Sequence, residues 1–430
     1  MMPSPSPGRN RCVLTLVLAL GVGTGSATEP APLPLADPAG FNRLRVLDDY
    51  RVPDAREARI GLPGGPLSAW SAMKRRLNQR HGLDFEIVYA PIFQTSRDPG
   101  GGNTANAELD FIGSWTLTDD PVHGAGKLQW WVTNLVNYTG RNTGQFADDL
   151  GVLSQPNDGD LGEDANFTGL PLLWWEQQLP SGLIARIGKL GLTELAGTNR
   201  YAHDGRADYL NSVLVKESTA GYTVADGGLG INLELRRERW SLSATFADAS
   251  ADDDWVDFSS PGDGDWQAIG EAALPPSING LGAGNYRLTL SQIDAIEVAE
   301  NDTRSGWGIG FSADQELGED YALMLRWSRA VRRMIDFRQV FAAGFLFTRP
   351  FGWDDDTLGL AAWRASPEPN LDPPPDAAPY RTEYGLEAFW RMQLTDHLEF
   401  TPDLQLILDP AKDSSRDSVL IAGVRLRLVF

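Results

Sequence analysis

Cysteine is almost missing from this chain. Its single example, Cys12, lies in a segment read below as cleaved. That leaves no disulfide framework and no cysteine-based metal site to build on. Histidine is scarce too: His81, His123, His203 and His397 are too scattered for a metal cluster. Basic residues are outnumbered, 37 Lys plus Arg against 58 Asp plus Glu, for a formal charge of −21. A nucleic-acid partner would need a basic face to displace counterions, so none is expected. Beyond the first 27 residues no apolar run approaches the ~20 residues of a spanning helix, which excludes a helical inner-membrane protein. Catalytic parts are short as well. His81 abuts a helix, His123 and His397 fall in short turns and His203 in a long external loop, so no histidine stands on a strand beside a serine nucleophile. The chain reads as a non-enzyme without cofactors. It is not short of apolar residues: 42% hydrophobic and 10% aromatic content is too much for a disordered chain.

The N-terminus assigns a compartment. Arg9 and Arg11 precede the apolar run Val13–Val22, and Gly25-Ser26-Ala27 offers small residues for cleavage. That pattern is a secretory signal over residues 1–27, cut after about Ala27. Residues 28–82 follow as a periplasmic leader ending in a short amphipathic helix. Within it Trp70, Met73 and Leu77 recur at helical spacing over Ser68–Arg80, with Ser68 as a cap and Gly82 just past the end.

From Leu83 the pattern changes to period two. Leu420, Ala422, Val424, Leu426, Leu428 and Phe430 alternate with Ile421, Gly423, Arg425, Arg427 and Val429. Tyr384, Leu386, Ala388, Trp390 and Met392 alternate with Glu383, Glu387, Arg391 and Gln393 in the same way. The segments are about ten residues long, the length of a tilted strand crossing a bilayer. Short turns such as 180–182, 237–239 and 395–397 alternate with long polar loops at 139–169, 193–223, 250–264 and 366–379. This is the habit of an outer-membrane barrel with its short turns periplasmic. Fifteen strands can be counted directly. Both ends of the barrel must lie on one side, so a further strand is required, and 265–274 is the best place for it. The expected fold is all-β: a transmembrane antiparallel β-barrel of about 16 strands over residues 83–430, with a short N-terminal periplasmic helix. A soluble sandwich would also alternate, but charges persist on the inner parity of strand after strand.

Two adjacent pairs, Trp130-Trp131 and Trp174-Trp175, each put one indole toward lipid and one toward the lumen. The outward members fit an aromatic girdle. The inward ones could stack on the apolar face of a sugar ring, whose hydroxyls want paired donors and acceptors. Trp174, Glu176, Arg186 and Lys189 are therefore candidate pathway residues, beside the plain alternative of simple solvation. Register arithmetic on the last three strands adds a second group. A three-residue turn at 395–397 sets Arg391 opposite Thr401 and diagonal to Asp403, and the next hairpin brings Asp403 near Arg425. The expectation is an Arg391–Asp403–Arg425 cluster, with Glu387 and Gln405 one step further from the periplasm. The alternative is an ion pair of purely structural value.

Several segments carry a family likeness: LNQRHGLDFEIVYA (77–90), LLWWEQQLPSGLIARIGKL (172–190), DYLNS (208–212), DWQAIGEAALPPSINGLGAGNYRL (265–288), RPFGWDDDTLGLAAWRAS (349–366) and YGLEAFWRMQLTDHLEFTPDLQLILDPA (384–411). On these the chain resembles the carbohydrate-selective porin family, OprB-like. The resemblance implies a sixteen-stranded outer-membrane channel for passive diffusion of sugars such as glucose, without cofactor or energy coupling. It implies as partners carbohydrate solutes, outer-membrane lipid and lipopolysaccharide, and a monomer or trimer. Phe430, an aromatic residue closing an amphipathic strand, is the pattern that bacterial barrel-assembly machinery reads. A general or ion-selective porin, or a structural or adhesive barrel, stays open as an alternative.

Overall fold

The computed structural model describes residues 59–60, 66–157, 166–215, 227–250, 255–275, 281–299, 302–331, 337–369 and 379–430. The signal segment and most of the leader lie outside the described residues. Sixteen strands form one closed antiparallel barrel. In order they are β1 (Leu83–Ser96), β2 (Gly102–Asp120), β3 (Gly124–Asn137), β4 (Asn166–Gln178), β5 (Leu183–Gly191), β6 (Gly227–Arg237), β7 (Trp240–Asp248) and β8 (Trp266–Leu274). The rest are β9 (Gly284–Ala299), β10 (Asp302–Glu316), β11 (Tyr321–Val331), β12 (Phe337–Phe347), β13 (Thr357–Pro367), β14 (Glu383–Thr395), β15 (Leu398–Leu408) and β16 (Ser418–Val429). The strand required by parity is β8, over Trp266–Leu274.

Each chain neighbour pairs with the next, and β1 closes on β16 through Val88↔Val429 and Phe93↔Val424. Closure removes every open edge, which is how a sheet satisfies its backbone groups in lipid. The alternation read from sequence is the alternation of burial. On β16 Ile421, Arg425 and Arg427 are buried inside, while Leu420, Val424 and Leu426 are exposed outside. The exposed aliphatic and aromatic rows form the surface a bilayer would wet.

The helix α1 runs over Pro66–His81, close to the expected span. Gly82 ends it in the left-handed region at φ 66, and its N–H donates to the Asn78 carbonyl. The helix lies against the wall at the β1–β16 seam. Lys74 pairs with Glu86 and donates to the Phe430 carbonyl oxygen at 2.9 Å. Trp70 meets Phe85 edge-on at 5.9 Å, and Trp115 Nε1 donates to the His81 carbonyl.

The largest departure from expectation concerns the long loops. The described parts of the β3–β4 and β5–β6 connections are not outside the barrel; they fold into it. In the first, α2 (Thr143–Leu150) is closed by a capping box between Asn142 and Gln145 and ended by Gly151 at φ 75. Its Phe146 and Leu150 are fully buried. The second begins with a helical turn, α3 (Leu192–Leu195), and is buried almost continuously to Val215. His203, expected in an external loop, is therefore only 2% exposed, with Nε2 3.4 Å from a Glu194 carboxylate oxygen.

Candidate functional site

The candidate site is the lumen, built by the inward parity of the strands and by these two loops. On the wall of β4–β6, Glu176 stands opposite Arg186, and Arg186 opposite Asn232. Arg186 spends its fork fully: Nε to Glu176 at 2.7 Å, Nη1 to Asn232 at 2.6 Å and Nη2 to Glu234 at 3.0 Å. Gln178 adds a 2.6 Å bond to Glu176. A buried cation held by two carboxylates and an amide is rigid and locally neutralised.

Trp174 faces inward as expected, but it is 1% exposed and packs among Leu172, Leu190 and Leu192 at the foot of the β5–β6 loop. Its ring is covered, so it presents no open face for stacking. Lys189 needs a correction. It pairs with Leu173 on the outward parity, in the same row as Ile187, and its ammonium donates to the Trp255 carbonyl at 2.7 Å. It lies three positions after Arg186, and in a period-two strand an odd interval reverses the face.

On the last three strands the pairing along the wall is as expected, although the turn is two residues, Asp396-His397, reached through a register shift between Gln393 and Thr395. Glu387 pairs with Gln405, Phe389 with Asp403 and Thr401 with Arg425. The side chains nonetheless make other contacts. Arg391 donates to the Ala207 carbonyl at 3.0 Å and to Thr357 at 3.1 Å. Arg425 donates to the carbonyls of Gly205 at 2.5 Å and Asp208 at 2.9 Å. Glu387 accepts the backbone N–H groups of Leu210 (2.5 Å) and Asn211 (3.0 Å). Gln405 accepts from Asn211 Nδ2 and donates to the Pro156 carbonyl at 2.8 Å. Asp403 accepts from Gln405 at 3.1 Å and makes no ion pair with either arginine among the described residues. These residues moor the β5–β6 loop, whose backbone polar groups would otherwise be buried unpaired.

The docked segment is DYLNS. Tyr209 packs edge-on against Phe389 at 4.9 Å, and Asn211 Nδ2 donates to Gln405 on the neighbouring strand β15 at 3.1 Å. Other moorings were not anticipated. Arg206 pairs with Glu108, Asp110 and Asp204 and lies 4.8 Å from the Trp131 ring centroid. Trp131 Nε1 donates to Asp110 at 2.7 Å. Arg200 pairs with Asp314 at 2.5 Å and Glu316 at 2.7 Å. Burial alone would lower the pKa of Arg200, but Asp314, Tyr201 and Glu316 together outweigh it, so the guanidinium is held above its usual value. Arg326 donates to the Leu214 carbonyl at 3.0 Å. The available signal was the charge on inward positions, but sequence offers no way to pair those charges with a loop.

A polar cavity lies between α3 and the wall of β5–β9. It is lined by Arg186, Glu194, Thr198, Asn232, Glu234, Ser241, Ser243, Glu271 and Arg287. Arg287 pairs with Glu271 at 2.5 Å. At about 30 Å³ it is water-sized. The lining therefore gathers paired charges, hydroxyls and amides around a space too small to enclose a sugar.

Comparison with known proteins adds to this geometry. The family model described as carbohydrate-selective porin, OprB family, matches residues 225–430. Porin AaxA of Chlamydia abortus is 24% identical over 316 residues, 73% of this chain and 67% of that protein. Porin AaxA of Chlamydia felis is 24% identical over 317 residues, 73% and 68% respectively. Among solved structures, the high-pH form of Pseudomonas putida OprB superposes with TM-score 0.65 at 15% identity, covering 84% of this chain and 97% of that one. An anion-selective porin from Comamonas acidovorans gives 0.50 at 12% identity, covering 81% and 99%. At such identities the structural likeness is one of fold.

Proposed function

Because the chain is OprB-like, matching the carbohydrate-selective porins over residues 225–430, we propose that it lets small uncharged carbohydrates diffuse passively through its lumen. The closed sixteen-stranded barrel and the match to the family model over residues 225–430 support reading it as an outer-membrane porin. One observation carries the choice of solute. Inner-wall cations on β5, β9 and β16 are matched by carboxylates: Arg186 with Glu176 and Glu234, Arg287 with Glu271, Arg427 with Glu399 at 3.1 Å. Arg326, Arg391 and Arg425 are spent on loop carbonyls. A paired wall offers many donors and acceptors with little net field, which suits hydroxyls better than a free ion. Glu176, Arg186 and Asn232 on the β4–β6 wall are buried and bonded to one another, so their part is to hold that wall rigid and locally neutral along the path. Glu387, Arg391, Gln405 and Arg425 act one step back, setting the bore by holding the β5–β6 loop, and Asp403 supports Gln405.

A channel site must bind strongly enough to admit a solute and weakly enough to release it. Glucose or maltose at millimolar concentration should therefore reduce ion current through the pore in a planar bilayer and raise its noise. If neutral sugars leave both unchanged while salt current persists, the chain is a general or ion-selective porin. If no current passes at all, it is a structural barrel.

A further inference from the structure

We propose that the outward face of β11–β13, at its long-loop end, binds the phosphorylated sugar headgroup of lipopolysaccharide. The inference rests on the barrel's place in an outer membrane with its long loops outward, not on which solute it passes.

Two rows of cross-strand neighbours define the place. Trp327, Phe341, Arg364 and Tyr384 pair in sequence across β11–β14. One step nearer the long loops, Arg329 pairs with Gln339 and Gln339 with Ser366. Both rows face out, because Val340, Ala342, Trp363 and Ala365 between them are buried inside. A register shift between Phe337 and Gln339 then aims a third arginine at the same spot. Phe337 turns inward and Arg338 is left exposed beside Gln339, the re-aiming a bulge produces.

Arg338, Arg364, Gln339, Ser366, Tyr380 and Thr382 line one outer cleft of about 460 Å³. That is the scale of a small-molecule pocket and far more than a lone ion needs. Arg329, Arg338 and Arg364 are exposed, and none makes an ion pair among the described residues. The carboxylate in the lining, Glu368, is buried. In a chain of formal charge −21, three exposed guanidiniums gathered on a lipid-facing surface call for an anion. Arginine forks match phosphate oxygens two at a time. Trp327 and Phe341 lie on the membrane side of the cleft, where acyl chains would run, and hydroxyls lie on the loop side. Phosphate at the centre, sugar hydroxyls above and hydrocarbon below describe a phosphorylated, acylated disaccharide. A phospholipid headgroup supplies a phosphate but not the sugar.

The test uses the full chain refolded in detergent from inclusion bodies, with native mass spectrometry reading bound lipid. Diphosphoryl lipid A should bind at least about tenfold more tightly than dephosphorylated lipid A or phosphatidylglycerol, the discrimination expected of charge-assisted contacts. The R329Q/R338Q/R364Q variant should lose that margin. An R75Q/R76Q/R80Q variant, altered equally in charge but on α1, should keep it. Equal binding by parent and triple variant overturns the proposal, as does equal binding of phosphatidylglycerol or full displacement by equimolar inorganic phosphate. Heat-shifted migration on gels monitors folding. If the triple variant does not refold, R364Q alone is read, with a several-fold loss expected and an unchanged affinity overturning the site. Sugar block of the pore is measured on the same samples, so loss of the transport reading and loss of this site are separate results.

Discussion

Gly385 stands directly across from Trp363, and a Cβ there would lie 1.9 Å from the indole Cζ2. Gly359 makes the same room for Phe389, whose ring would sit 2.3 Å from an added Cβ. Inward aromatics thus lie flat across a glycine on the next strand, which keeps β13–β14 thin enough for Tyr209 to pack on Phe389. Gly385→Ala should cost about 1–3 kcal/mol through overpacking. Its heat-shifted band should convert at a lower temperature than the parent's, and an unchanged transition would refute the contact. Arg206 is a second decisive residue. It is 4% exposed and answers Glu108, Asp110 and Asp204 together. Arg206→Ala leaves that acidic group without its cation, so the reversal potential in a salt gradient should shift toward cations. A shift toward anions, or none, would show that the group does not face the conducting path.

At the scale of elements, the β5–β6 loop matters most. It exchanges hydrogen bonds with β11, β14 and β16 and makes ion pairs with β2 and β10. Internal turns such as Ala207 N–H to the Asp204 carbonyl shape it locally, and its ties to the wall fix where it lies. Glu387→Ala removes the acceptor for two adjacent N–H groups, bonds to a charged partner worth about 1.5–3 kcal/mol each. The loop tip should loosen, raise single-channel conductance and admit protease between residues 205 and 215. Intact conductance together with protease resistance would count against the mooring. Replacing residues 199–213 by a short Gly-Ser linker is the stronger version. No strand pair is lost, so the barrel should still form, with conductance raised several-fold and sugar block abolished. Sugar block surviving that deletion would move the solute contacts wholly onto the strands.

For the whole molecule, the sixteen strands should give a circular dichroism spectrum dominated by β-structure and gel mobility that shifts on heating. A mainly helical spectrum, or recovery in the soluble fraction, would contradict the barrel. The lipid-facing rows and the polar interior invert the usual arrangement of a soluble protein, with Leu420, Val424 and Leu426 outside and Arg425 and Arg427 within. Stability then rests on closure and on pairing of interior charges, since each inward ion must be answered in place.

The residues themselves determined the strands. A period of two is local, so Leu420 to Phe430 declares its two faces without reference to anything else, and the turn after β14 fixes its register with β15. Parity even located β8. By the same rule Lys189, at an odd interval from Arg186, takes the opposite parity, yet it is buried, which parity alone does not reveal. The tertiary structure alone decided where the β3–β4 and β5–β6 loops go and what Glu387, Arg391, Gln405 and Arg425 touch. Those contacts join residues about 180 to 250 positions apart. A loop's course is set by which buried donors and acceptors it meets, not by a repeat along its own sequence. Polar loop residues read as solvent-exposed when the surface that receives them is the equally polar inside of a barrel. Hydropathy cannot tell water from such a lumen, and the charge-for-charge match that can is visible only once the barrel has closed.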